Sequence, residues 1–406
     1  MANLLIRHFF PNHPSFGFEA LRAAGYASIG AADIGEVIYI CSRIPEGDER
    51  SWFREWNAAA ERAITNAKIS LTRSNKIGAR EAFLRASNYY RTAEFYRRQK
   101  PFEDEVAKAA ANSSSEAFYS AAKLMDYVVE KCKIPYEGTT LPGTLMLVDN
   151  IKKPRPLIIV NGGFDSTREE IGWSVAAAAL QQGFNVLAFD GPGQGDALRE
   201  QRLFFRHDWE KVITPVVDYS LSLPFVDNGK LVIMGVSMGG YLVGRAVAFE
   251  HRAAAVVVND GVYDFGSAFR DKNPAIGKFL LKYNWDATMN AAMRMFMRWD
   301  TGFKWGILNA MWTFGLSSEV DVLRAVDAYT LHGLVGMIKT PMLVLEAPDD
   351  HFLKGQPAKL FNGLLSEKHF AELKREEGAS AHCHMGAGSR LNQVVFDFLV
   401  GKLKMA

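Results

Sequence analysis

With 406 residues, 48% hydrophobic and 23% charged, the chain has enough apolar material for one large or two ordinary folded domains. A net charge of +2 without a long basic run argues against nucleic acid as a partner. No apolar run approaches the roughly 18 residues that a membrane span requires, so no membrane partner is expected. Cys41, Cys132 and Cys383 are scattered and odd in number, which fits a reducing compartment better than a disulfide framework. The opening residues lack a basic segment followed by a cleavage site, so the expected location is cytoplasmic.

Residues from about 32 to 133 read as helices. Ala59, Ala60, Ala63 and Ile64 recur at helical spacing, and residues 79–96 are mostly good helix formers with no proline until Pro101. The aromatics there (Phe83, Tyr89, Tyr90 and Phe95) are expected to pack helix against helix. Residues 1–135 are therefore taken as an N-terminal helical cap or dimerisation region.

After Pro135 the texture changes. Short apolar runs at 144–148, 156–160, 185–189, 231–234, 253–258 and 342–345 are separated mostly by segments of helical length. Such runs, apolar throughout rather than alternating, predict a mostly parallel, doubly wound sheet covered by helices on both faces, in an α/β domain spanning 136–406. Between residues 262 and 340 the rhythm breaks. That insertion shows no recognisable strand and carries Phe269, Phe279, Tyr283, Trp285, Met289, Met293, Trp299, Trp305 and Trp312 among others. It reads as a helical lid or the wall of an apolar pocket. The loop Asp190-Gly-Pro-Gly-Gln-Gly195 does not match G-x-G-x-x-G, and no helix start in register is expected after it; it reads as a loop at a strand's carboxyl end.

The chemistry centres on Leu231-Val-Ile-Met-Gly-Val-Ser237-Met-Gly-Gly240. A buried-type strand running into Gly-x-Ser-x-Gly, with a helical segment behind it, is the pattern of a nucleophile elbow, which lifts the serine above the sheet. A serine hydroxyl needs a base, and the base needs an orienting acid, expected in the order serine, acid, histidine at carboxyl ends of strands. Asp350 lies far enough past strand 342–345 to turn back, whereas Glu346 still runs with the strand and Asp349 is placed to cap the turn. Among nine histidines, His369 begins a last strand, Phe370-Ala-Glu-Leu-Lys374, and so lies at the wrong end of the sheet, whereas His382 follows that strand and precedes the closing helix; His384, two residues on, is the runner-up. An oxyanion hole requires two amides, expected from Met238 and from Phe164 in the Asn161-Gly-Gly-Phe-Asp-Ser166 loop, with Gly163 beside it. Asp260 and Asp165 also follow strand ends. Each is placed either to bind substrate, to support His382 or simply to cap a helix.

Five segments together carry a family resemblance: the elbow, Asn161-Gly-Gly-Phe-Asp-Ser166, Phe189-Asp-Gly-Pro-Gly-Gln-Gly195, Asp350-His-Phe-Leu-Lys-Gly-Gln356 and Gly378-Ala-Ser-Ala-His-Cys-His-Met-Gly-Ala387. Ala32-Asp-Ile-Gly-Glu36, Asp48-Glu-Arg-Ser-Trp52 and Arg85-Ala-Ser-Asn-Tyr-Tyr-Arg91 extend it to the N-terminal helices. The chain resembles the α/β-hydrolases related to 2,6-dihydroxypseudooxynicotine hydrolase, a group that includes fungal polyketide-shortening hydrolases. The resemblance implies a serine enzyme able to cleave carbon–carbon bonds next to a carbonyl, with a helical N-terminal part of the site and a homodimer. It places the triad on Ser237, Asp350 and His382, and a further carboxylate near Asp260. Members also include ester hydrolases and biosynthetic enzymes that condense or cyclise. The expectation is an α/β-hydrolase fold with a helical N-terminal domain and a helical lid. Its substrate is an apolar or aromatic carbonyl compound, cleaved without metal or cofactor; ester hydrolysis and cyclisation or acyl transfer are the alternatives.

Overall fold

The computed structural model describes residues 4–151, 153–271 and 273–404. It opens with helices α1 (Leu4–Phe9), α2 (Pro14–Gly25), α3 (Ile34–Ser42), α4 (Glu49–Thr72), α5 (Lys76–Glu94) and α6 (Glu105–Ala122). Helix formation therefore begins well before residue 32. Side chains of Asp48, Asn75 and Asp104 accept from free amides at the starts of α4, α5 and α6, which is why those helices begin where they do. Along α4, Trp52, Trp56, Ala59, Ala60, Ala63 and Ala67 form one buried stripe. Burying a tryptophan of roughly 150–250 Å² at about 25 cal/mol per Å² contributes about 4–6 kcal/mol before entropy is counted. Tyr89 packs with Trp56 inside this bundle, as expected of it, whereas Phe95 instead stacks on Trp305 of the insertion, with ring centres 4.4 Å apart.

The first strand begins inside the stretch read as helical. Strand β1 (Val128–Tyr136) pairs antiparallel with β2 (Thr139–Leu147) through a tight hairpin. Its half-exposed alternation is weak in sequence, and what makes it a strand is the partner that the hairpin returns to it. There follow β3 (Arg155–Asn161), α7 (Arg168–Ala179), β4 (Asn185–Phe189), α8 (Gly195–Arg199), α9 (Glu210–Leu221), β5 (Val226–Val236), α10 (Gly239–Ala246) and β6 (Ala255–Asn259). The glycine-rich loop thus does run straight into a helix, α8, contrary to the sequence reading. The eight-stranded sheet has the order β1-β2-β4-β3-β5-β6-β7-β8, with β7 at Met342–Glu346 and β8 at Lys368–Glu372. From β4 to β8 every pairing is parallel. Strands β4 and β6 are buried throughout, and β3 from its second residue on, which accounts for their unbroken apolar runs.

Between β6 and β7 lie α11 (Ser267–Arg270), α12 (Ala275–Lys282), α13 (Asp286–Phe296), α14 (Thr301–Thr313) and α15 (Glu319–Ala325). An isolated bridge between Asp264 and Thr330 ties the base of this insertion together. Its aromatics divide in two. Phe265, Trp305 and Phe314 ring Phe164, with centres 5.6, 5.9 and 6.1 Å away. Phe279, Tyr283, Trp285 and Trp299 instead face outward. The aromatic packing on Phe164 therefore comes from the base of the insertion and from α14, not from α12 and α13. Helices α16 (Gln356–Gly363) and α17 (Gly388–Lys402) complete the chain.

Candidate active site

Ser237 stands between β5 and α10 with φ of 60°, a left-handed conformation that costs a non-glycine residue about 1–3 kcal/mol. The turn is held by Ser237 N–H donating to Asn259 O (2.6 Å) and Gly240 N–H donating to Ser237 O (2.8 Å). A side chain at Gly235 would collide with the carbonyl of Gly239, so the bend closes only with glycine there. The serine hydroxyl is thereby lifted off the sheet's end, where loops after β6, β7 and β8 meet it.

His382 comes from the loop after β8. Its Nε2 lies 2.9 Å from Ser237 Oγ, and its Nδ1 lies 2.7 Å from Asp350 Oδ2. The two carboxylate oxygens of Asp350 have different partners. One oxygen faces the imidazole, and the other accepts the amides of Phe352 (2.7 Å) and Leu353 (3.0 Å). Asp349 is tied instead to Arg375 at the surface, and Glu346 ends β7. His384 is turned aside, its Nδ1 2.7 Å from Asn259 Oδ1.

Asp260 is brought to the same imidazole. Its Oδ2 lies 3.2 Å from His382 Nδ1 and accepts the Cys383 amide at 3.0 Å, with no solvent exposure. Of the roles considered for it, support of His382 is the one that the geometry fits. Two carboxylates therefore share one ring. Burial opposes a charge on His382, but the Asp350 carboxylate, with Asp260 behind it, outweighs burial and holds the imidazole well above its usual pKa. Asp350 is held below the usual carboxylate range because His382 overrides burial. Burial and the nearby Asp350 charge push Asp260 upward against the pull of His382. The second carboxylate holds its proton the more readily, so the three groups titrate as a set.

Asp165 goes elsewhere. It neither reaches His382 nor caps α7, whose cap is the Thr167 side chain. Its Oδ2 receives Arg22 (2.6 Å) from α2 and Arg91 (2.9 Å) from α5. Glu170 joins this buried cluster through Arg22 and Glu19 through Arg91, while the Tyr26 hydroxyl donates to Glu170. A carboxylate one residue past Phe164 thus fastens the N-terminal helices to the loop after β3. The same helices reach the serine's surroundings, since the Phe18 ring of α2 lies 5.9 Å from the His382 ring. No sequence pattern signalled this cluster, because its members are spread from residue 19 to residue 170.

Gly163 lies against the elbow. A Cβ there would come within 2.8 Å of Ser237 Cβ and 3.0 Å of Met238 N, so the loop carrying Phe164 closes over the serine only because residue 163 has no side chain. Among metal-binding atom types in the described residues, Asp260, His382 and Cys383 bring one each within 4.8 Å of one another. The His382 nitrogens already face Ser237 and Asp350, and Asp260 Oδ2 already accepts the Cys383 amide. The His382 and Asp260 atoms of this set thus already have protein partners.

A family model described as "Alpha/beta hydrolase family" matches residues 157–394. The chain belongs to the alpha/beta hydrolase family. It is 34% identical over 407 residues to Hydrolase LUC6 of a Fusarium species, covering 95% of each chain. It is 33% identical over 409 residues to 20-hydroxy-prefusarin hydrolase FUS2 of Gibberella moniliformis, again with 95% of each covered. The solved structure of 2,6-dihydroxy-pseudo-oxynicotine hydrolase shares the fold, with a TM-score of 0.73 at 20% identity over 94% of this chain and 95% of that one. The chain is accordingly a hydrolase-family enzyme whose N-terminal helices are part of the shared architecture. No helix among the described residues is long and apolar enough to cross a membrane.

Proposed function

We propose that this enzyme cleaves a carbon–carbon bond adjacent to a carbonyl in an apolar, polyketide-like β-dicarbonyl or aryl ketone, through Ser237, His382 and Asp350. The observation that carries the reading is the unbroken chain Ser237 Oγ, His382 Nε2, His382 Nδ1, Asp350 Oδ2, with links of 2.9 and 2.7 Å. Ser237 Oγ attacks the carbonyl carbon while His382 Nε2 takes its proton. The oxyanion is received by the amides of Phe164 and Met238. As the tetrahedral species collapses, the carbon–carbon bond breaks and its electron pair leaves on carbon, spread into an enolate or phenolate. His382 returns the proton to that leaving group. Water then attacks the acyl-enzyme, giving its proton to His382, and the acid is released with Ser237 restored.

Asp350 stabilises the His382 cation until the leaving group takes its proton, whether that group is carbon or oxygen. The aromatic surround of Phe164, with Phe265, Trp305 and Phe314, suits a flat apolar substrate. The name of the Gibberella relative, a hydrolase of 20-hydroxy-prefusarin, supports a secondary metabolite as substrate. A homodimer in the cytoplasm remains part of the proposal, and sedimentation of the purified protein tests the dimer. Matched ketone and ester substrates in ¹⁸O-water test the chemistry. Ketone cleavage with one ¹⁸O in the acid product, lost in Ser237→Ala, is the expected result; cleavage of the ester alone assigns the enzyme to ester hydrolysis, and a product of unchanged mass assigns it to cyclisation.

A further inference from the structure

Phe164 is flanked by two carbonyls, each gripped by a buried carboxamide. On one side, Gln194 Nε2 donates to Gly163 O (2.8 Å) and to Gly162 O (2.7 Å). Gly163 O and Phe164 N–H belong to the same peptide group, and in a trans peptide the two point in opposite directions. Holding the carbonyl down towards Gln194 therefore aims the Phe164 N–H the other way, towards the side on which Gly163 meets Ser237. The same hydrogen bond polarises the peptide and strengthens its N–H as a donor. Gln194 cannot rotate away easily, because its Oε1 accepts from Gly191 N (3.1 Å) and Asn161 Nδ2 (3.4 Å) and the residue is buried.

On the other side, Asn309 of α14 donates through Nδ2 to Phe164 O (3.1 Å). Its Oδ1 accepts from Arg98 Nε (3.0 Å), and the Arg98 guanidinium is in turn held by Glu94 at the end of α5. Asn309 is completely buried. An amide in an oxyanion hole helps only if it is aimed before the charge develops, since reorganisation during the reaction would cost what the bond supplies.

We propose that Gln194 and Asn309 are positioning residues that hold the Phe164 amide in place for the oxyanion, with Asn309 linking this function to the N-terminal helices and the insertion through Arg98. The inference rests on the reading of Ser237 as nucleophile and Phe164 N–H as oxyanion donor. Neither carboxamide touches substrate in this assignment. Gln194→Glu replaces the donor nitrogen with an acceptor facing two carbonyls. Asn309→Asp keeps volume and the Arg98 bond while removing the donor to Phe164.

The full-length protein is assayed with p-nitrophenyl butyrate and with a trifluoromethyl ketone, which binds as a tetrahedral adduct. Removing a donor from an oxyanion hole lowers kcat by roughly 10²–10³. Misaiming one is expected to lower it by about 10- to 100-fold, with KM changed less than about twofold and trifluoromethyl ketone affinity falling in step with kcat. Thermal melting establishes that each variant is folded, and Asn309→Asp decides the matter if Gln194→Glu does not fold. A folded variant with unchanged kcat, or one whose KM rises while kcat and inhibitor affinity hold, overturns the inference. Ser237→Ala separates the two levels. If it retains activity, the underlying mechanism has failed; if it is inactive while the carboxamide variants are normal, only the positioning role has failed.

Discussion

Replacing Asp350 by asparagine tests the orientation of the whole site. Asp350 Oδ1 accepts two backbone amides, from Phe352 and Leu353, while Oδ2 faces His382 Nδ1. An asparagine can satisfy those two amides only by keeping its oxygen towards them, which turns its NH₂ to the imidazole. That group donates to Nδ1, forces the ring proton onto Nε2, and leaves Nε2 unable to accept the Ser237 proton. In a triad with one orienting acid this wrong tautomer costs about 10⁴-fold, or about 5.4 kcal/mol at 1.36 kcal/mol per tenfold. Here Asp260 Oδ2 stands 3.2 Å from the same nitrogen and offers a second, longer acceptor. The expected loss for Asp350→Asn is therefore smaller, about 10²–10³-fold, and the full 10⁴ should appear only in the Asp350→Asn, Asp260→Asn double variant. The assay is the second-order rate at which a fluorophosphonate labels Ser237, followed by intact mass, which requires no knowledge of the substrate. A folded Asp350→Asn protein labelled within tenfold of wild type, or a double variant no slower than the single, refutes the reasoning.

The pH dependence follows from the same geometry. Only neutral His382 accepts the serine proton, and the nearby carboxylates hold its pKa above the ordinary 6.5, so labelling should rise with pH through an apparent value above 6.5. A limb at or below pH 6 contradicts this assignment. Because the folded pKa is the higher one, the stabilisation from His382 is complete below 6.5 and is lost as pH rises through the folded value. Gly163→Ala places a methyl 2.8 Å from Ser237 Cβ and 3.0 Å from Met238 N; a strain of about 1–3 kcal/mol should slow labelling at least tenfold, and an unaffected rate argues that the loop can yield. Arg91→Leu removes a guanidinium that binds Glu19 and Asp165 inside the N-terminal cluster. The carboxylates left uncompensated should cost about 3–5 kcal/mol, read from the urea unfolding midpoint, and a loss below about 1 kcal/mol shows that the cluster relaxes.

The core of the fold was legible because its strands are buried on both faces and so appear as short, unbroken apolar runs between helices. Strand β1 was not, since an edge strand exposed on one side has no such signature and depends on its hairpin partner. The positions of Ser237, Asp350 and His382 were legible for a related reason. Parallel sheets deliver their loops to one end, so serine, acid and histidine in that order at strand ends converge there. Asp165 was misplaced by the same logic, because position after a strand fixes which end a residue occupies but not which way its side chain turns. Two arginines more than 70 residues away decided that.

Sequence by itself thus determined the parallel sheet, the elbow with its serine, and the end of the sheet to which acid and base return. These follow from local periodicity, from backbone sterics at glycine and from chain order. Tertiary structure alone decided that Asp260 shares the His382 ring with Asp350, that Asp165 fastens the N-terminal helices, and that Gln194 and Asn309 grip the peptides around Phe164. Hydrogen bonds and ion pairs depend on distances of a few tenths of an ångström between side chains remote in sequence. Only packing the helices and loops on the sheet sets those distances.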